Sequence, residues 1–231
     1  MAKRPIFIPH PEKSRFVYEI DIEFEWNSGF APIQKKKNIA ALHEAARVRG
    51  FKKLLEVSTK SDSHLGQRLS AFNLAVNLSD GTSTTLECAF QGSKVFKNGG
   101  PFTDIYLKNS REAKKDERIK NCGKLVGFKF ENLEFPNEPK TAFYDWLYCR
   151  ALAPHREYLE KFDAYDGFTD IEFNPQKSIN CQARSCALFV SLVRRTLLDN
   201  AIRSPKNFIA IILSDSFAQP YSNDIRQREL L

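Results

Sequence analysis

The sequence predicts an α+β fold, with a small ββαβ unit before residue 60 and a body that is mostly helical after residue 84. Two patterns carry that reading. Residues 16–26 alternate, with Phe16, Tyr18, Ile20, Ile22 and Phe24 against Val17, Glu19, Asp21, Glu23 and Glu25, the period-two signature of a strand. Further along, longer stretches repeat their apolar positions at helical spacing instead, and no internal repeat, low-complexity run or long linker interrupts them.

Taken in order, the apolar run 5–9 is a strand and 16–26 is a second. Residues 32–50 form a helix, with Ile39, Leu42, Ala45 and Ala46 at helical spacing and Gly50 as its stop. The stretch KKLLEVS (52–58) returns to strand. Residues 1–58 thus form an N-terminal extension packed on a main domain of residues 59–215, with a polar tail over 216–231. In the main domain, 59–74 is a polar loop leading into a strand. Residues 85–97 and 110–120 are helices, and 125–133 is a strand with Phe128 and Phe130 on one face. Residues 140–152 and 157–162 are helices, 183–200 is the longest helix, and 205–213 is a short apolar strand or helix.

The composition is that of a globular protein with a real core, since 42% of the 231 residues are hydrophobic and 27% charged. Nineteen Phe against one Met point to an aromatic, shape-specific core. A net charge of +7 fits a polyanionic partner, and fits simple solubility equally well. Five cysteines without CxxC spacing imply reduced thiols in a cytoplasmic setting, against a disulfide framework or zinc site. The four histidines have no ligand spacing, so no metal is expected. No stretch has the length of a membrane helix, and no signal-peptide core opens the chain, so no membrane partner is expected.

Placed on a helical wheel, LECAFQGSKVF (86–96) has Leu86, Cys88, Ala89, Phe90, Val95 and Phe96 around nearly the whole cylinder. Glu87, Gln91 and Lys94 fall at i, i+4 and i+7 in one narrow line. That line either faces solvent as ordinary helix contacts or faces an internal pocket, with Gly92 beside it admitting a ligand or another backbone. Spacing alone leaves both open. Other constellations are equally two-sided. In LSAFNL (69–74), Ser70, Phe72 and Asn73 suit either stacking and hydrogen bonding of a planar base or a turn over a core Phe. In FYDWLY (143–148), Phe143, Trp146 and Leu147 make a core face, while Tyr144, Asp145 and Tyr148 are placed to line a pocket. The polar stretch 168–182 carries Asp170, Glu172, Lys177, Asn180 and Gln182 ahead of a helix start, a natural place for either a cap or a pyrophosphate.

Together these segments resemble the NADAR family, named for its association with NAD and ADP-ribose. Residues 69–74 resemble its early SxFxxxPF segment, and ECAFQGSKVF (87–96) resembles its AEHxFQAxKF helix. NSREAK (109–114), PKTAFYDW (139–146) and, loosely, SINCQARSCALFVSL (178–192) resemble three further segments. The resemblance covers residues 59–200. Cys88 and Gly92 depart from the family's His and Ala, and Asp166, Asp170 and Glu172 compete for its acidic DxxWG segment. The branch it resembles pairs antitoxins with toxins that ADP-ribosylate guanine in DNA, and that branch accounts for a prefix before residue 59.

The resemblance implies a mostly helical NADAR-like domain that removes ADP-ribose from DNA guanine by hydrolysing an N-glycosidic bond. It turns the stripe into a pocket, with Lys94 as nucleophile on the anomeric carbon through an imine, and Glu87 and Asp170 moving protons. Ser70, Phe72, Asn73, Gln91, Gly92, Tyr144, Trp146, Glu172, Asn180 and Gln182 would hold the ligand. No cofactor is expected. The partners implied are ADP-ribosylated DNA, ADP-ribose and a cognate ADP-ribosyltransferase toxin. Two alternatives stand beside this reading: a non-catalytic ADP-ribose or nucleic-acid binding module that neutralises a toxin, and a metabolic N-glycosidase of riboflavin-pathway intermediates.

Overall fold

In a computed structural model, residues 1–10, 15–29 and 31–214 are described, and the expected polar tail of 216–231 lies outside them. Strands β1 (Ala2–Pro9) and β2 (Val17–Phe24) come first, followed by helix α1 (Pro32–Val48) and strand β3 (Leu54–Glu56). This is the expected ββαβ order. Helix α1 opens on a proline, whose missing N–H has no intrahelical partner to lose, and stops before Gly50 at φ 96°, a backbone region that favours glycine. At 17 residues it is longer than the 13-residue helix that occupies the segment expected to be longest.

The stretch expected as a polar loop contains helix α2 (His64–Arg68), then strands β4 (Ala75–Asn77) and β5 (Ser83–Thr85). Helix α3 (Leu86–Gly92) starts on a Thr85 cap whose hydroxyl accepts the Cys88 amide. It does not run to residue 97: Lys94–Phe96 is strand β6. Gly92 weakens the helix at its end, and Val95 and Phe96 have a strand partner to pair with. After a 3-10 turn at Thr103–Leu107 the expected 110–120 helix divides into α4 (Ser110–Lys115) and α5 (Arg118–Asn121). The break is at Asp116, whose carboxylate accepts the Arg118 amide at 3.1 Å. The single strand expected over 125–133 is a hairpin of β7 (Leu125–Phe130) and β8 (Leu133–Pro136), turning at Glu131 with φ 51°. Helix α6 (Ala142–Leu152), a 3-10 turn at Ala153–His155, helix α7 (Tyr158–Phe162) and strand β9 (Gly167–Thr169) follow. The last expected long helix breaks at Thr196 (φ 58°) into α8 (Gln182–Arg194) and α9 (Leu198–Ile202). The apolar segment left open as strand or helix is helix α10 (Pro205–Leu213).

The main sheet has the order β2-β1-β9-β3. Strands β1 and β2 are antiparallel, with Ala2 opposite Phe24 through to Pro9 opposite Val17. Strand β9 enters from the body between β1 and β3, antiparallel to the first and parallel to the second. Gly167 permits this, since a Cβ there would lie 2.9 Å from the Phe7 carbonyl oxygen. The prefix and the body therefore share one sheet. They also share a core: Phe7, Phe16, Val17, Leu55 and Val57 pack in the same cluster as Phe90, Phe143, Trp146 and Phe189. Its aromatic centre includes Phe128 and Phe143 with ring centroids 4.5 Å apart. Helix α6 is buried at every position but Arg150, and Trp146 and Tyr148 are fully enclosed.

Candidate active site

A cavity of about 570 Å³ opens where α3, β6, α6 and the loop from Asp170 to Gln182 converge. Ten of the residues expected from sequence line it: Ser70, Phe72, Glu87, Gln91, Lys94, Tyr144, Asp170, Glu172, Asn180 and Gln182. Ser58, Thr59, Phe90, Lys114, Phe128, Asn137, Lys140 and Phe173 also line it. The last group was missed, although Lys114 stands in the NSREAK motif.

The polar stripe survives the end of the helix. Gln91 donates from Nε2 to Glu87 Oε1 at 2.9 Å, and Lys94 donates from Nζ to Gln91 Oε1 at 2.7 Å. A lysine has no acceptor, so this contact fixes the amide orientation and turns the amide nitrogen to the carboxylate. Because α3 ends at Gly92, Lys94 reaches Gln91 from a strand and not from the next helical turn. Its ammonium lies 4.8 Å from the Phe90 ring centroid. Burial lowers the Lys94 pKa to about 8, with Glu87 opposing the shift and Lys114 adding to it.

The opposite chemistry holds on the facing loop. Asp170 is buried, and burial together with the neighbouring Glu56 pushes its pKa well above the usual carboxylate range. The Tyr144 hydroxyl is raised by burial and then by Glu87 and Asp170, which keeps it a donor. Asn180 carries a buried Oδ1 with no hydrogen-bond partner among the described residues. Gln182 Oε1 accepts the Ala71 amide at 2.8 Å and so fixes the Ser70–Phe72 turn against the start of α8. Phe72 is half-buried, with the Lys114 ammonium 5.5 Å from its ring centroid. Glu172 is exposed, and pairs with Lys35 at 3.3 Å.

Three expected ligand residues stand outside the cavity. Trp146 is wholly buried among Phe130, Phe135 and Phe143, with its indole N–H donating to the Ile202 carbonyl at 3.1 Å. Asn73 is exposed and donates to the Gln67 carbonyl at 2.8 Å, so it serves the turn. Gly92 makes room for protein, not ligand: a Cβ there would lie 2.5 Å from Tyr106 Cε1. Among the described residues, no group of three or more His, Cys, Asp and Glu is arranged to hold a metal ion, and no helix is long and apolar enough to cross a membrane.

Fold and site together define an α+β pocket protein that holds a lysine amine of lowered basicity opposite a carboxyl of raised pKa. The sequence profile of the DarT1-associated NADAR antitoxins matches residues 2–222, and the chain belongs to that family. It is thus an antitoxin of the kind associated with a DarT1 toxin, and the match takes in the N-terminal prefix. No curated protein matches the chain.

Proposed function

We propose that this antitoxin is a hydrolase that removes ADP-ribose from guanine bases of DNA, reversing the modification made by a cognate ADP-ribosyltransferase toxin. The observation that carries the reading is the Glu87–Gln91–Lys94 line, which brings an amine of pKa about 8 into a cavity that also holds Asp170. The neutral amine attacks the anomeric carbon of the ribose, and the N-glycosidic bond breaks with its electron pair leaving on the base nitrogen. Asp170, whose proton affinity is raised by burial and then by Glu56, supplies the proton that the departing base takes up. The alkylated Lys94 nitrogen, now an ammonium, gives up a proton to the ring oxygen, and its freed lone pair opens the ribose ring to a protonated imine. Glu87 draws a proton from water as it adds to the imine. Collapse of the adduct returns the neutral Lys94 amine and free ADP-ribose, and the proton taken from water by Glu87 is passed back to restore Asp170.

The remaining lining groups suit binding. The orphan Asn180 Oδ1 is an acceptor for a ribose hydroxyl or a base N–H, the Tyr144 hydroxyl is a donor, and Phe72 is a stacking surface at the cavity wall. Lys114 and Lys140 add positive charge for phosphate.

The test is incubation with guanine-ADP-ribosylated and thymine-ADP-ribosylated oligonucleotides, with products followed by mass spectrometry and borohydride added during turnover. Release of ADP-ribose and a reduced adduct on the Lys94 peptide are expected, with both lost in Lys94→Arg, which keeps charge and reach but not the nucleophile. A non-catalytic binder would leave the modified oligonucleotide intact. Full turnover in Lys94→Arg with no adduct would assign the attack to water.

A further inference from the structure

Glu56, at the end of β3 and 3% exposed, is a buried acid outside the cavity lining. An acid there costs heavily unless its oxygens are satisfied. Glu56 Oε1 accepts the Ile171 amide at 2.9 Å, and Oε2 accepts the Thr169 hydroxyl at 2.7 Å. Thr169 Oγ1 in turn lies 2.9 Å from His43 Nε2 on α1. The threonine has spent its only hydrogen on Glu56, so His43 donates from Nε2 and the line runs His43 to Thr169 to Glu56. Burial lowers the His43 pKa to about 4, so the ring is neutral at ordinary pH. The two residues that Glu56 grips flank Asp170 on either side.

We propose that Glu56 is a positioning residue for the pocket acid: it clamps the Thr169–Ile171 turn that presents Asp170, and its own carboxyl discourages Asp170 from ionising. The inference rests on the reading of Asp170 as the acid for the departing base. It also assigns to the prefix a part in the site, since Glu56 and His43 both come from residues 1–58. Glu56 is bonded to the residues on either side of Asp170, and two buried acids placed so oppose each other's ionisation. Both carboxyls are accordingly raised, Glu56 by burial and Asp170 by burial and then by Glu56. The other groups facing the pair are Arg4 on β1, Glu172 on the same loop, Cys181 before α8, and Tyr144 and Tyr148 on α6. Of these Arg4 alone is cationic, so nothing else in that set supplies the counter-charge that would let both acids ionise.

The test uses the full chain and separates the pair from catalysis. In Glu56→Gln the amide keeps an acceptor for the Ile171 N–H but carries no charge. Asp170 then loses its proton more easily, and the alkaline limb of kcat should move down by about one pH unit. In Thr169→Val Glu56 loses a bond that favours its ionised form, so it holds a proton to higher pH and the protonated carboxyl band should move up. Independently of turnover, infrared titration should show a protonated carboxyl band at neutral pH that vanishes in Asp170→Asn and titrates at lower pH in Glu56→Gln. If wild type hydrolyses nothing, the functional reading fails while the infrared titration still decides the pair. A folded Glu56→Gln chain whose band and alkaline limb superimpose on wild type overturns the proposal. If Glu56→Gln does not fold, an unmoved band in Thr169→Val does the same.

Discussion

At the scale of the residue, Lys94 is the group whose environment makes the clearest demands. Its pKa is lowered to about 8 by burial, and only the neutral amine attacks carbon. The value of kcat/KM should therefore rise with pH through about 8, and a profile flat from pH 6 to 9 would contradict a lysine nucleophile. The same shift has a sign in stability. In the unfolded chain a lysine titrates near pH 10.4, so below about 8 the fold bears the full cost of charging the amine. Between those values the unfolded chain holds the proton the fold has released, and stability rises with pH. Lys94→Met should consequently raise stability at pH 7 while abolishing turnover. The gain should be about 1–2 kcal/mol, below the full shift at about 1.4 kcal/mol per unit because the group is half-buried. A second contrast separates the aromatics. Phe72→Ala, at the cavity wall, should raise KM with little change in melting temperature. Trp146→Ala, in the core, should cost about 3–5 kcal/mol of stability in denaturant unfolding.

At the scale of the element, the end of α3 decides where the nucleophile stands. The sequence shows Glu87, Gln91 and Lys94 as one helical line, and the line exists, yet Lys94 belongs to β6 and pairs opposite Phe128 of β7. Local spacing was not able to reveal this, because Val95 and Phe96 keep apolar positions compatible with a helix until a partner strand is known. The same limit applies to Glu56: its hydrogen bonds reach Thr169 and Ile171, 113 and 115 residues away. Its only local sign is an acid inside the apolar run LLEV. What was legible were the groups that carry their own chemistry in a short span, such as the stripe and the 168–182 loop. Trp146 and Asn73 were not, since an aromatic or an amide looks the same whether it meets ligand, core or its own turn. Gly92 offers the test of the α3–β6 junction. A methyl there meets the Tyr106 ring, whose hydroxyl bonds Ser93 at 2.9 Å, next to Lys94. Gly92→Ala should cost about 1–3 kcal/mol by overpacking and lower kcat more than it raises KM. Adding Tyr106→Ala should restore room, and partial recovery of kcat in the double variant is the readout that a purely destabilising change would not give.

At the scale of the molecule, the question is whether the prefix is an accessory or part of one cooperative unit. A boundary at residue 58 reads naturally from sequence, because the alternating strands stop there and the polar stretch begins. The topology joins what that boundary divides. Removing residues 1–58 would take β1, β2 and β3 from the main sheet and leave β9 with no strand partner. It would strip Phe7, Phe16, Val17, Leu55 and Val57 from the central cluster. It would also leave Ser191 without the Phe16 carbonyl to which its hydroxyl donates at 2.6 Å, and Arg184 without Glu19 at 3.2 Å. Asp145 would still hold Arg184 at 2.7 Å, but this buried guanidinium would lose one carboxylate partner. Losing these five buried aromatic and aliphatic side chains at about 1.5–3 kcal/mol each removes about as much as the 5–15 kcal/mol by which a typical domain is stable. The 59–231 chain should therefore show no cooperative thermal transition by circular dichroism and no dispersed amide spectrum. Supplying 1–58 as a separate peptide should restore at least part of both, since the missing strands can add back to β9. A truncated chain that melts cooperatively and still hydrolyses a modified mononucleotide would make the prefix an accessory, and would place the acid that serves Asp170 somewhere other than Glu56.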